Sequence, residues 1–345
     1  GGGGGGNRYR AGTSERRGRP VPHFATLERA LLKERDGDGF GFDAVYVGTP
    51  PGSHRSLVEL ALGSDKSVLL EKPLAATTDD ADAIVAAAES SSTSGALAMN
   101  IGMRYNEALR ELRRRVLEEK EFGERRSSRL RATLRTHYER WPREWQTRPW
   151  CAGRDEGGPL REVGTHFYSA LLEFSGAHDS ERSEMPVSAR ICATVKYPPD
   201  GASSESCTVA PCETEAEGII ELKGGALPLM GMVVEFSVRT DAPRDVYELT
   251  IAPFSETKKD DYGHSLTLFD FCSLKNSKGE ILVQNASYGR KECVHALVAA
   301  AQSQNNYLSQ TREVSIVSAR HGRNAQRILG AILKSNGEWI NIEFD

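Results

Sequence analysis

Three short stretches of this chain carry side chains suited to moving a proton and steadying charge on oxygen. In Gly157-Gly158-Pro159-Leu160-Arg161-Glu162-Val163-Gly164-Thr165-His166, a carboxylate precedes an imidazole by four residues. On an α-helix that spacing puts Glu162 and His166 on one face, where the carboxylate can hold the ring. An imidazole held in this way is suited to accept a proton near neutral pH. Glu71-Lys72-Pro73 closes the apolar run Ser67–Leu70. A lysine there can donate to a reacting hydroxyl and stabilise negative charge growing on its oxygen. Thr49-Pro50-Pro51-Gly52-Ser53-His54 closes a second apolar run, Asp43–Gly48. The bland alternatives are a core histidine at 166, a surface pair at Glu71 and Lys72, and a helix-start residue at His54. The buried run before Lys72 and the glycines before His166 favour chemistry at those two positions.

The elements that must position these groups follow from periodicity. Asp43–Gly48, Ser67–Leu70 and Ala96–Ile101 read as buried strands. Between them lie two helices. One starts near Ser53 with Leu57, Leu60 and Ala61 on a face; the other is capped by Thr77 or Thr78, with Ala81, Ile84, Val85 and Ala88 on a face. Strand, helix, strand, helix, strand with short connections predicts a parallel sheet with right-handed crossovers. Ligands of such sheets sit at the carboxyl ends of the strands. Thr49, Pro50, His54, Glu71, Lys72, Asn100 and Arg104 fall there. Ahead of the sheet, Thr26 is placed to cap a short helix with Leu27, Ala30 and Leu31 on a face. Residues 1–20 are glycine-rich and basic and are expected to be disordered. Their glycine run matches G-x-G-x-x-G only trivially, since no strand precedes it.

Beyond Arg104 a helix over 106–120 carries Leu109, Leu112, Val116 and Leu117, with Gly123 as its expected end. The texture then changes. Ser128–His137, Ala189–Tyr197, Glu217–Leu222, Met230–Thr240, Tyr247–Ala252, Ser265–Phe271 and Ile281–Gln284 read as strands of a largely antiparallel sheet, and Leu227–Phe236 as a buried strand. Pro198–Glu215 reads as a mobile insertion. Helices over Gly289–Ser303 and Ser318–Ser335 and a strand over Trp339–Phe344 follow. The expected organisation is a disordered segment 1–20, an α/β domain 21–105 and an α+β domain 106–345.

The 345 residues are 39% hydrophobic and 27% charged, with net charge −4, a soluble globular composition. No apolar stretch approaches the ~18 residues a membrane helix needs, and the acidic balance argues against nucleic acid. The arginines from Arg104 to Arg135 alternate with glutamates, as on a solvated, ion-paired helix face. The six cysteines form no C-x-x-C pair and no Cys/His cluster of zinc spacing, so neither a metal site nor a disulfide framework is expected. Reduced thiols and a cytoplasmic location are the default reading.

Taken in order, these motifs resemble the Gfo/Idh/MocA (glucose-fructose oxidoreductase / inositol dehydrogenase) family. Asp43–His54 resembles the family's strand and cofactor-side turn, Val68–Leu74 its E-K-P segment, and Gly157–His166 its Gly-rich approach to an aspartate and a histidine four residues later. Met99–Tyr105 is similar to the strand that ends its nucleotide domain, and Ser318–Phe344 to its last helix and strand. The resemblance implies a Rossmann-like domain binding NAD or NADP, then a domain offering a sheet face to a sugar or polyol substrate or to a partner subunit of a homo-oligomer. It implies that Lys72 contacts the substrate hydroxyl and His166 is the acid/base. Glu162 stands where the family usually has Asp. Pro73 often follows a cis bond in the family, which aims Lys72 inward. Thr49, Pro50, His54, Glu71, Lys72, Pro73, Asn100 and Arg104 are expected on the cofactor side. Trp145, Arg148 and Trp150 stand near where the family often carries a Trp/Arg pair beside the nicotinamide. The family's opening strand, G-x-G-x-x-G turn, helix and selector strand have no counterpart here, so the first β-α-β unit reads as missing. The expectation is an NAD(P)-dependent oxidoreductase acting on a secondary alcohol of a sugar, polyol or related diol. The alternative is a catalytically inactive binding or scaffold subunit; retention of Lys72, Glu162 and His166 favours the enzyme.

Overall fold

The computed structural model describes residues 22–37, 41–90, 95–118, 122, 129–175, 187–199, 211–225, 227–228, 231–254, 264–303 and 316–344. The glycine-rich segment, the expected helix end at Gly123 and most of the 198–215 insertion lie outside the described residues. The chain divides into two compact units, Gly1–Phe42 and Asp43–Asp345. The first contains helix α1 (Leu27–Arg35), whose predicted cap is in place: Thr26 Oγ1 accepts from the Arg29 N–H at 3.3 Å.

The second unit opens with β1 (Ala44–Val47), α2 (His54–Leu62), β2 (Ser67–Leu70), α3 (Thr78–Ser90) and β3 (Leu97–Met99). The strands pair in the order β1-β2-β3, all parallel, as helical crossovers require. β2 is buried throughout, but β1 is an edge strand and buries only Val47, so the predicted fully buried strand is half-exposed. A 3₁₀ turn at Pro51–Ser53 precedes α2 and turns its apolar face. His54, Val58, Ala61 and Leu62 are therefore buried, in place of the expected Leu57 and Leu60. Thr77 Oγ1 accepts from the Asp80 N–H at 3.1 Å, and α3 buries Ala81, Ile84 and Val85.

A second sheet follows helix α4 (Glu107–Glu118) and β4 (Leu130–His137). After helix α5 (Thr165–Ser175) come β5 (Ser188–Lys196), β6 (Glu215–Lys223), β7 (Met232–Arg239), β8 (Val246–Pro253), β9 (Leu266–Phe269), β10 (Ser273–Asn276) and β11 (Ile281–Val283). Helices α6 (Arg290–Ser303) and α7 (Ala319–Ser335) and strand β12 (Ile340–Glu343) complete the unit. The nine strands run β11-β10-β9-β8-β4-β7-β6-β5-β12, antiparallel except for β4 with β7. In β4, Leu130, Ala132, Leu134 and Thr136 alternate inward, and one core joins this face to α4, α5 and α7. The sequence therefore has the expected fold class, Rossmann-like parallel strands followed by a largely antiparallel sheet domain. Along α4, Glu111 accepts from both Arg114 and Arg115, the ion-paired face expected of that arginine-rich stretch.

Two strand expectations change. The run Leu227–Phe236 is split by a turn, with Gly231 at φ 73° donating to the Pro228 carbonyl at 2.7 Å, and β7 begins only at Met232. The run Ser265–Phe271 ends at Phe269, because Asp270 and Phe271 take positive φ (49° and 65°) and reverse the chain into β10, which periodicity missed.

After β3, a 3₁₀ turn at Gly102–Tyr105 meets the loop entering α6 backbone to backbone. A Cβ on Gly102 would lie 2.0 Å from the Tyr288 carbonyl oxygen, and one on Gly289 (φ 72°) would lie 2.1 Å from the Gly102 oxygen. Gly102→Ala is expected to lower unfolding free energy by about 2 kcal/mol, since neither backbone can yield without repacking. Urea unfolding measures this, and a wild-type midpoint would mean that the two loops part freely. On the other side, α7 lies against the first sheet: the Met99 N–H donates to the Val317 carbonyl at 2.8 Å. Gln326 takes the Ala75 N–H at 3.0 Å and donates to the Thr77 carbonyl at 3.0 Å.

Candidate active site

Lys72 leaves the carboxyl end of β2 and is joined to Pro73 by a cis peptide bond. Its Nζ donates to the Glu162 carbonyl at 2.9 Å and to Glu162 Oε2 at 3.1 Å. Both side chains are largely buried, 15% and 9% exposed. An ammonium has three N–H donors. Glu162 takes two, which leaves one for a ligand oxygen.

Glu162 lies in a π-helical turn, Leu160–Gly164, that runs into α5. This corrects the expected pairing of Glu162 with His166. The carboxylate turns to Lys72 instead, whose ammonium offers a charge-assisted hydrogen bond that a neutral imidazole does not match. His166, near the start of α5, sets its ring edge-on to Phe271, with centroids 5.9 Å apart at 75°. Burial, then the Lys72 ammonium and the Arg290 guanidinium, push its pKa down to about 3. The ring is therefore neutral at physiological pH, with a nitrogen lone pair available.

Beside Lys72, Glu71 gathers the ends of all three parallel strands. Its Oε1 accepts from Tyr46 Oη at 2.7 Å and Asn100 Nδ2 at 2.6 Å, and its Oε2 from the Lys72 N–H at 3.3 Å. Burial and then Glu71 push the Tyr46 phenol up to about 12. Asn100 Oδ1 is buried and has no hydrogen-bond partner among the described residues. An orphaned acceptor at the strand ends fits a ligand that brings a hydroxyl or amide N–H. The residues at this end of the sheet thus suit the nicotinamide-ribose side of a dinucleotide. Among the described residues no G-x-G-x-x-G turn follows a strand, so no pyrophosphate contact is assigned.

The other expected site residues divide. Thr49 and Pro50 are exposed at the end of β1, and Ser53 Oγ ties their turn by bonds to Thr49 Oγ1 (2.8 Å) and the Pro50 carbonyl (2.9 Å). His54 is fully buried, its ring nitrogens 2.9 Å from the Thr49 carbonyl and 3.2 Å from the Leu74 carbonyl. It clamps the two strand-end turns together. Arg104 is also corrected: it forms a buried ion pair with Glu173 (3.6 Å) and reaches the Ile316 carbonyl, a structural role. Arg148 and Trp150 are exposed on or beside a single helical turn, Pro149–Ala152, and their side chains make no hydrogen bond among the described residues. Trp145 is likewise exposed.

Sequence reasoning missed two contributors. Arg290, the first residue of α6, brings its charge to bear on both His166 and Tyr46. Phe271 starts an aromatic wall that continues to Tyr247 (5.1 Å between centroids), Tyr138 (5.4 Å) and Trp141 (4.9 Å). Arg290 sits at a helix start and Phe271 in a turn, and no periodicity marks either.

Known proteins align with this arrangement. The GFO_IDH_MocA family model, an oxidoreductase family with an NAD-binding Rossmann fold, matches residues 17–96. D-xylose 1-dehydrogenase [NADP(+)] of Haloarcula marismortui is 41% identical over 63 residues, 17% of this chain and 18% of that enzyme. The aligned stretch thus spans less than a fifth of the curated relative's length. Among solved structures, an oxidoreductase domain protein from Kribbella flavida superposes with a TM-score of 0.64 at 18% identity, covering 93% of this chain and 84% of that one. An inositol dehydrogenase homolog from Azotobacter vinelandii, complexed with NADH and myo-inositol, gives 0.61 at 15% identity, covering 91% and 82%. The family match thus covers β1 and β2, the strands that lead to Thr49 and Lys72, and the two-sheet fold is shared with these solved structures along most of the chain.

Proposed function

We propose that this protein is an NAD(P)-dependent dehydrogenase acting on a secondary alcohol of a sugar, polyol or related diol. The observation that carries the reading is the fixed Lys72 ammonium, with one N–H open beside a neutral His166. A nicotinamide dinucleotide, when bound, would accept or return the hydride. Glu71 and Asn100 are the residues placed to hold its nicotinamide-ribose end. Lys72 donates to the substrate oxygen and steadies its negative charge, while Glu162 keeps Nζ from swinging away. His166 takes the hydroxyl proton. As hydride begins to leave the carbon the hydroxyl becomes far more acidic, so even a weakly basic imidazole can take its proton while Lys72 holds the negative charge on the oxygen. The part-exposed Phe271 ring, edge-on to His166, gives the apolar CH face of a ring something to rest on. The polyhydroxylated compounds named for the Haloarcula enzyme and the Azotobacter neighbour support the substrate class.

Titration calorimetry with NAD⁺, NADP⁺, NADH and NADPH tests the reading. One redox pair is expected to bind. Asn100→Ala, which removes a neutral hydrogen bond, is expected to weaken that binding by about 3- to 10-fold. If no dinucleotide binds, or the variant binds as wild type does, the assignment fails.

A further inference from the structure

A carboxylate far from the expected motifs sits under the turn that holds Lys72. Glu213 is 0% exposed. Its Oε1 accepts from the Leu160 N–H at 2.8 Å, while Oε2 is buried with no hydrogen-bond partner among the described residues. The backbone on either side is fastened: the Cys212 N–H donates to the Ala152 carbonyl at 3.1 Å and the Thr214 N–H to the Lys196 carbonyl at 2.9 Å. Glu213 is therefore held from two elements and cannot drift with the turn it touches. The fit is close, because a Cβ on Gly158 (φ 101°) would lie 2.4 Å from Glu213 Oε2.

Every donor at the head of the π-turn can be traced. Gly158 donates to the Cys151 carbonyl, Pro159 has no N–H, and Arg161 and Glu162 both donate to the Gly158 carbonyl. Leu160 is left with no backbone acceptor, and Glu213 supplies one. Negative charge at a helix N-terminus is also favoured by the helix dipole. The line of contacts then runs from Glu213 through Leu160 to Glu162, and from both acceptors of Glu162 to Lys72 Nζ.

We propose that Glu213 is a positioning residue that anchors the π-turn Leu160–Gly164 and thereby sets where Glu162 holds the Lys72 ammonium. It touches neither cofactor nor substrate. The inference rests on reading Lys72 as the site of chemistry, but its test needs no cofactor and no turnover, so it fails or succeeds independently of the calorimetry above.

The test is pulse labelling of the full chain with acetic anhydride. Modification of Lys72 is followed by peptide mass spectrometry and normalised to the exposed Lys278, so that general loosening cancels. Glu213→Leu removes the acceptor, Glu213→Asp keeps the charge but loses the reach, and Glu213→Gln keeps both reach and an acceptor oxygen. Near-ultraviolet circular dichroism identifies the folded variants. Labelling of Lys72 is expected to rise at least fivefold in Glu213→Asp and in folded Glu213→Leu, and to stay within twofold of wild type in Glu213→Gln. Unchanged labelling in a folded Asp or Leu variant overturns the proposal. A rise in Glu213→Gln overturns it too, and that variant carries the test by itself if the others do not fold.

Discussion

His166→Ala is expected to lower turnover by about 10²- to 10⁴-fold on whichever alcohol the calorimetric preference leads to, with KM changed little. The asymmetry follows from its place. In the proposed reaction His166 meets the transferring proton, whereas Lys72, whose two bonds to Glu162 do not involve the imidazole, holds the substrate oxygen. The pH profile should carry the same signature. Burial and two neighbouring cations push the ring down to about 3. A base whose pKa is lowered is in its working form at any pH above that value, so the free protein should show no limb from His166 between about pH 5 and 8. Steady-state kinetics across that range decides the matter. Turnover unaffected by the substitution would remove His166 from the chemistry, and an acid limb near 6.5 that the substitution abolishes would mean the ring titrates as an exposed one.

Glu213→Gln is expected to make stability far less dependent on pH. Burial raises the Glu213 carboxyl from its ordinary 4.5 to about 7, against the lowering pull of the Leu160 N–H and of Arg161 and Arg154. The phenols of Tyr138, Tyr168 and Tyr197 and the Cys212 thiol share its surroundings. A group harder to ionise folded than unfolded contributes stability that is whole below the unfolded value and is lost as pH rises through the folded one. A displacement of this size corresponds to roughly 3 kcal/mol at a fully buried carboxyl. Wild type should lose that amount relative to Glu213→Gln between about pH 4.5 and 8. Urea unfolding at a series of pH values reads the difference directly, and parallel curves for the two proteins would sink the argument.

These two residues mark where sequence reasoning reaches and where it stops. His166 and Lys72 stood out because each follows a strong local signal, a glycine-rich approach in one case and an apolar strand closed by Glu-Lys-Pro in the other. Most strands of the second sheet were legible because one face is buried and the other wet, as in β4 and β7, which writes a period of two into the sequence. The partner of Glu162 was not legible, since spacing along one helix says nothing of a lysine that the fold brings in from 90 residues away. Arg290 was invisible because its placement depends on two glycine backbones meeting across a separation of 187 residues, Gly102 with Gly289. Glu213 lay hidden at the end of a Pro/Ser/Cys-rich insertion that local composition marks as loop. Only the described structure places it under Leu160.

The contact of α7 with the first sheet has a consequence for how the protein is made. Gln326 closes on Ala75 across 251 residues of chain. At ~5–20 residues per second, a ribosome needs roughly 10–50 s to deliver the second partner after the first. Throughout that interval the three parallel strands lack one of their covers. Exposure of this sheet to chaperones, or to other nascent chains, is therefore timed by the speed of translation through the second sheet.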